Sequence, residues 1–330
     1  LHKQIRTDLA IEAHEYLTTT GSTHSIDGVE VEDADYNSIS VKRVAIKTDQ
    51  AADEMGKQIG NYITLEIPSM RQKNSSLEEQ VSQVFAKELN SLVKKTADKE
   101  NFLALIVGLG NWNVTPDALG PKVVENLLIT RHLKEIMPDD INDEEYSSVC
   151  AIAPGVLGIT GIETSEIIES IVSKIKPDLV IAVDALAARS VSRLNTTIQI
   201  ADTGIHPGSG VGNKRKGITE EVLGVPVIAI GVPTVVDAVT LTNDTMDMVI
   251  DTLIKVTNQG GQFYNILKDL DRTEKEQLIS EVLNDNLGSL IVTPKEVDRL
   301  VIDISEVIAG GINAALHPII DFQDATKHLY

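Results

Sequence analysis

Pro177-Asp178-Leu179-Val180-Ile181-Ala182-Val183-Asp184 carries the unit from which the rest of the chain is built. Pro177 ends the amphipathic run Glu163–Ile175, because proline cannot continue a helix. The apolar residues Leu179–Val183 then read as a strand, with Asp184 emerging at its carboxyl end. The same unit recurs on either side. Phe102–Val107 reads as a strand, followed by the turn Gly108-Leu109-Gly110-Asn111 and a helix over Ala118–Leu133. Val149–Ala153 is a strand that leads through a Gly-rich loop to Glu163–Ile175. Thr197–Ile200 and Val225–Ile230 are further strands, and Val235–Val256 is helical. Short apolar strands alternating with helices predict an α/β fold: a doubly wound, mostly parallel sheet with helices on both faces.

This core spans about residues 100–256. Before it lies a polar region broken by turns such as Asp27-Gly28, with strands at Val41–Ile46 and Tyr62–Ile67. The spacing of Leu77, Val81, Val84, Phe85, Leu89 and Leu92 predicts a helix over Leu77–Val93. After the core, Thr273–Leu283 and Pro294–Ala309 are amphipathic helices of a C-terminal part over about 265–316. Thr293 reads as the cap of the second, with Pro294 in its first turn.

Hydrophobic residues make up 42% of the 330 positions but aromatics only 3%, so the core must be aliphatic, as suits a parallel sheet under helices. The net charge of −20 argues against direct nucleic-acid or anionic-lipid binding, and Lys214-Arg215-Lys216 is too small a cluster to reverse it. A single cysteine, Cys150, allows no internal disulfide and fits a reducing cytoplasm. It lies in the apolar run Val149–Ala153, where a buried strand position is favoured over a nucleophile. Neither a membrane-spanning apolar run nor a signal-peptide core is found, so a soluble, cytoplasmic protein without membrane partners is expected.

In open α/β sheets ligands collect at the carboxyl ends of the strands, and there the acids stand out. Asp117 begins a helix, where capping is its simplest role. Asp184 follows an apolar strand, where a functional role is favoured. Two carboxylates on neighbouring strand ends can share a proton or a water, with one pKa raised by the other's charge. Such a pair is the minimum equipment for activating water against a peptide bond. Arg189 either holds Asp184 ionised, stabilises an oxyanion, or forms a surface ion pair.

The other motifs are weaker. Gly108-Leu109-Gly110 lacks the third glycine of a dinucleotide site, since position 113 is Asn, and reads as a tight turn. Asp202-Thr203-Gly204 resembles the triplet of pepsin-like proteases, but those are β-rich and need two copies, so Asp202 reads as a turn cap. His206 is a candidate base or ligand in the same loop. No second His or Cys stands near it, and no metal or other cofactor is expected. Gly208-Ser209-Gly210 lies in a loop and makes no nucleophile elbow.

Long motifs at these loops give the chain a family likeness. GLGNWNVTPDALGP (Gly108–Pro121), APGVLGITGIET (Ala153–Thr164), IAVDALAARSVSR (Ile181–Arg193) and NTTIQIADTGIHPGSGVGNKRK (Asn195–Lys216) together resemble the spore germination proteases. GVPVIAIGVPTVVDAV (Gly224–Val239) and VTPKEV (Val292–Val297) extend the likeness, which runs from Arg6 to about Leu316. The resemblance implies an atypical aspartic endopeptidase that degrades the small acid-soluble proteins of the spore core during germination, with Asp117 and Asp184 as its catalytic pair. It further implies a homotetramer and a zymogen that removes its own N-terminal segment. Residues 6–13 resemble the self-cleavage site, which puts the bond at Asp8–Leu9. Residues 1–8 then form a pro-segment, residues 9–330 a single α/β peptidase domain, and the chain reads as the unprocessed form, its pro-segment restraining access to the two acids.

Two alternatives accompany this reading. The family is similar in fold to hydrogenase-maturation endopeptidases, whose acids contact nickel, so a metal-guided peptidase is one. A catalytically silent scaffold of the same fold is the other. The chain departs from the family pattern in the short stretch Thr257–Arg272 and in Asp35–Glu54, away from the catalytic loops.

Overall fold

Successive side chains of a strand point to opposite faces, and here helices cover both. A computed structural model of the chain describes residues 7–20, 25–97, 102–137, 144–206, 216–256 and 290–320. Its strands are β1 (Val29–Tyr36), β2 (Ile39–Ile46), β3 (Gly60–Glu66), β4 (Leu103–Gly108), β5 (Ser148–Ile152), β6 (Leu179–Ala188), β7 (Thr197–Ala201), β8 (Val227–Asp237) and β9 (Ile291–Val292). Its helices are α1 (Ala10–Thr20), α2 (Asp49–Met55), α3 (Ser75–Thr96), α4 (Leu119–Glu125), α5 (Arg131–Ile136), α6 (Leu157–Thr160), α7 (Thr164–Ile175), α8 (Glu220–Leu223), α9 (Ala238–Val256) and α10 (Val297–Leu316).

The strands form one sheet in the order β1-β2-β3-β7-β8-β6-β4-β5, with β9 paired to β8. β5, β4, β6 and β8 run parallel. β7, β3, β2 and β1 continue the sheet as an antiparallel flank. The α/β expectation holds, and its parallel part is these four strands.

On one face Ile106, Ile181, Val183, Ile198, Ile200, Ile228 and Ile230 lie under α3 and α10. α3 starts at Asn74, whose side chain accepts the N–H groups of Ser76 and Leu77. It buries the expected stripe, with Phe85 and Leu89 wholly enclosed; each such side chain contributes about 1.5–3 kcal/mol. The opposite face is split in two. Leu105, Val107, Val180 and Ala182 pack with Ile168 and Val172 of α7. Farther along, Leu186 and Ala188 pack with Leu9, Ile11 and Ala13 of the N-terminal segment and with Ala51 and Met55 of α2.

Several boundaries differ from the sequence reading. β6 does not stop at Val183 but runs to Ala188, because β8 continues beside it as far as Val236. β8 itself extends through Asp237, so Val235–Asp237 are strand and α9 begins at Ala238. The helix expected over Ala118–Leu133 is broken into α4 and α5. Between them the Leu128 N–H goes to Asn313 Oδ1 on α10 and the Thr130 N–H to the Val149 carbonyl on β5, so neither continues a helical ladder. Thr293 does not cap α10: its hydroxyl donates to the Thr234 carbonyl, and the helix begins after Glu296. Cys150 is half-buried on the edge strand β5, and burial pushes its thiol pKa up. The expected helix Thr273–Leu283 lies outside the described residues. No described helix is long and apolar enough to cross a membrane.

Candidate active-site cleft

Between the two apolar clusters of the second face, no described helix covers the sheet. On β6 the residues pointing that way are Val180, Ala182, Asp184, Leu186 and Ala188, by strand alternation. Asp184 is the polar member at the seam and is only 5% exposed. Its neighbour across β8 is Gly231, which pairs in turn with Gln199 on β7. The row therefore reads Asp184, Gly231, Gln199, and the Leu186 side chain leans over the bare backbone in the middle. A Cβ at Gly231 would fall 2.4 Å from Leu186 Cδ1 and 2.5 Å from its Cγ. A cleft of about 1040 Å³ opens here, its lining including Asp184, Leu186, Gly231, Gln199, Ala201 and Ala229.

The wall beside β6 comes from the loop after β4. β4 ends at Gly108, level with Val183, so β6 outgrows it and the side of Asp184 is open to that loop. The Leu109 N–H bonds the Val183 carbonyl, and the Asn111 N–H bonds the Asp117 carbonyl, which folds the loop back on itself. Gly110 makes this possible at φ 114°, since a Cβ there would stand 1.9 Å from the Asp117 carbonyl oxygen. Asp117 closes a short 3-10 turn, Thr115–Asp117, and the N-cap of α4 is Ala118. Asp117 is partly exposed and lines the same cleft as Asp184. The structure thus brings the two expected acids into one cavity. Asp184 also accepts the Ala185 N–H at 2.9 Å.

Like Asp49 and Asp53 of α2, Asp8 also lines the cleft. Its N–H donates to the Ala187 carbonyl at 3.0 Å, and its Oδ2 accepts the Ala187 N–H at 2.8 Å, three residues along β6 from Asp184. Leu9, directly after it, is fully buried in the N-terminal cluster. Thr7 is held from the other side: Lys57 Nζ donates to its carbonyl at 2.9 Å, and its hydroxyl bonds Glu12. The Glu12 carboxylate also accepts the N–H groups of Arg189 and Ser190 at 2.7 and 2.9 Å. Burial pushes the Lys57 ammonium below the ordinary lysine range, opposed by the charges of Asp8 and Glu12. The Asp8–Leu9 peptide is therefore fixed on both sides at the cleft.

The supporting candidates separate. His206 lines the cleft, its imidazole lying against Gly217. The Asp202 carboxylate accepts both the backbone N–H and the side-chain amide of Asn61, at 2.7 and 2.6 Å, and so ties β7 to β3. Arg189 follows the end of β6, and its guanidinium lies over the Tyr16 ring at 4.5 Å. Gln199 and Lys57 escaped the sequence reading although both line the cleft. Gln199 carried a readable signal, a long polar side chain between Ile198 and Ile200 in an otherwise apolar strand. Lys57 carried none, since a lone lysine after Gly56 reads as solvated surface.

Among the described residues no three His, Cys, Asp or Glu side chains converge to hold a metal ion. The family model of the germination protease matches residues 8–262 and 254–329. The germination protease of Clostridium tetani is 53% identical over 325 residues, covering 98% of this chain and 99% of that protein. That of Clostridium acetobutylicum is 50% identical over 325 residues, with the same coverage. That of Bacillus cereus is 48% identical over 354 aligned residues, covering 98% and 96%.

Proposed function

The chain belongs to the germination protease family, which makes it a peptidase, and from that premise we propose that it is a self-processing aspartic endopeptidase with Asp117 and Asp184 as its catalytic pair. One observation carries this: Asp117, Asp184 and Asp8 line a single cleft. In the proposed reaction one carboxylate takes a proton from water while the water oxygen bonds to the Asp8 carbonyl carbon. The other, protonated, acid gives its proton to the Leu9 nitrogen as the C–N bond breaks. The products are a carboxylate ending at Asp8 and a new amino terminus at Leu9. Residues up to Asp8 act as a pro-segment, with Asp8 itself lining the cleft until this cut.

Protein substrates follow from family membership. Small acid-soluble spore proteins as those substrates, the spore core as the place of action, and a homotetrameric assembly rest on the resemblance of the motifs. Incubation of the purified chain at mildly acidic pH, followed by N-terminal sequencing, tests the processing step. A new terminus at Leu9 is expected, and a chain that retains residues 1–8 throughout would overturn it.

A further inference from the structure

Two carboxylates can hydrolyse a peptide only if its carbonyl is held in register, and Gln199 is placed to hold it. Its carboxamide makes two bonds to the segment at the cleft: Nε2 donates to the Asp8 carbonyl at 3.3 Å, and Oε1 accepts the Ala10 N–H at 2.8 Å. The two arms reach the peptide units on either side of Leu9. Gln199 is itself 8% exposed and stands in the sheet row of Asp184, separated from it only by Gly231. A residue serving only to cap α1 would need Oε1 alone, since Ala10 is the first residue of that helix. Nε2 serves no group of the helix and goes instead to the carbonyl preceding Leu9.

We propose that the Gln199 carboxamide is the substrate clamp of the cleft. It donates to the carbonyl of the bond to be cut and accepts the N–H of the second residue beyond it. The proposal rests on the reading that Asp8–Leu9 is the processed bond, and it extends to any peptide strand that enters afterwards. When the water oxygen adds to the carbonyl carbon, the carbonyl oxygen gains negative charge and the long Nε2–O contact tightens. The charge returns to the carbonyl as the C–N bond breaks and the leaving nitrogen takes its proton. A donor that binds this oxygen more strongly in the transition state than in the ground state raises the rate.

The test uses the full-length chain and a synthetic peptide of residues 4–13, made also with the Leu9–Ala10 amide replaced by an ester, which deletes the Ala10 N–H. For the wild type, self-cleavage at Asp8–Leu9 is expected, and the ester peptide should be cut several-fold to tenfold more slowly than the amide peptide. Gln199→Ala should slow both self-cleavage and peptide cleavage by about 100-fold and should cut the amide and ester peptides at equal rates. Gln199→Glu, which keeps the acceptor and loses the donor, should be slow and yet retain the ester penalty. Thermal melting establishes that both variants are folded. If the wild type cuts at Asp8–Leu9 and Gln199→Ala matches its rate, or shows the same ester penalty, the clamp is overturned and the processing reading stands. If the folded wild type never cuts there, the processing reading falls and the clamp with it.

Discussion

Asp184 and Gln199 pair with the same residue, Gly231, from opposite sides of β8. Side chains in register across a sheet share a face, so the carboxylate and the carboxamide look into one cleft across two strand spacings, about 10 Å. The residue between them has no side chain, and the Leu186 side chain leans across its place. In the proposed roles β6 carries the acid, β8 lies bare beneath Leu186, and β7 holds the chain.

Gly231→Ala should therefore impair catalysis beyond its effect on folding. The added Cβ meets the Leu186 side chain at 2.4 Å and displaces this residue of the cleft lining, at an overpacking cost of about 1–3 kcal/mol. At a temperature where the variant is fully folded, single-turnover cleavage of Asp8–Leu9 should fall about tenfold or more for a misplacement of this kind. Wild-type cleavage by the folded variant would show that the packing of Leu186 on Gly231 does not bear on catalysis.

Arg193 anchors α1 beside the cleft. Its guanidinium bonds Glu15 at 2.8 Å and Glu66 at 2.6 Å and stands 3.5 Å from the buried Glu12. Burial opposes its charge, but the bonds to Glu15 and Glu66 outweigh this and hold its pKa above the ordinary value. Arg193→Met leaves these carboxylates without that partner and should cost about 3 kcal/mol, read as a clear drop in melting temperature. A variant as stable as the wild type would remove this network from the account.

His317 makes stability depend on pH. It is fully buried, its Nε2 shares a hydrogen bond with the Leu128 carbonyl, and burial pulls its pKa down to about 4. An unfolded chain takes up this proton near pH 6.5, so between pH 6.5 and 4 the unfolded state binds more protons. The contribution is fully present above pH 6.5 and is lost toward pH 4, on the order of 3 kcal/mol in all. The melting-temperature advantage of the wild type over His317→Gln should shrink across this range. A constant difference would show that His317 titrates normally in the folded state.

The parallel core was legible because strands buried on both faces must be apolar throughout, as in Leu179–Val183. What escaped was set by partners distant in sequence. β6 passes Asp184 because β8 supports it, and the helix after Asp117 breaks because Asn313 and Val149 take its backbone groups. Asp117 and Asp184 stood out in the sequence as acids near strand ends, but Asp184 lies inside β6, and only the fold shows that Gly110 brings the Asp117 loop against that strand. Gln199 was readable only as a polar residue between Ile198 and Ile200, since no local pattern separates a clamp from a buried polar residue satisfied by its neighbours.

The most direct measurement is cleavage of the Asp8–Leu9 bond by Asp117→Asn and Asp184→Asn, followed at mildly acidic pH by N-terminal sequencing and intact mass. Each substitution keeps the side-chain shape and removes a group that takes or gives a proton. The account predicts that each folded variant loses at least about 10²–10⁴-fold in rate and leaves the N-terminal segment attached. Processing of both at the wild-type rate would contradict the assignment of these two acids as the catalytic pair.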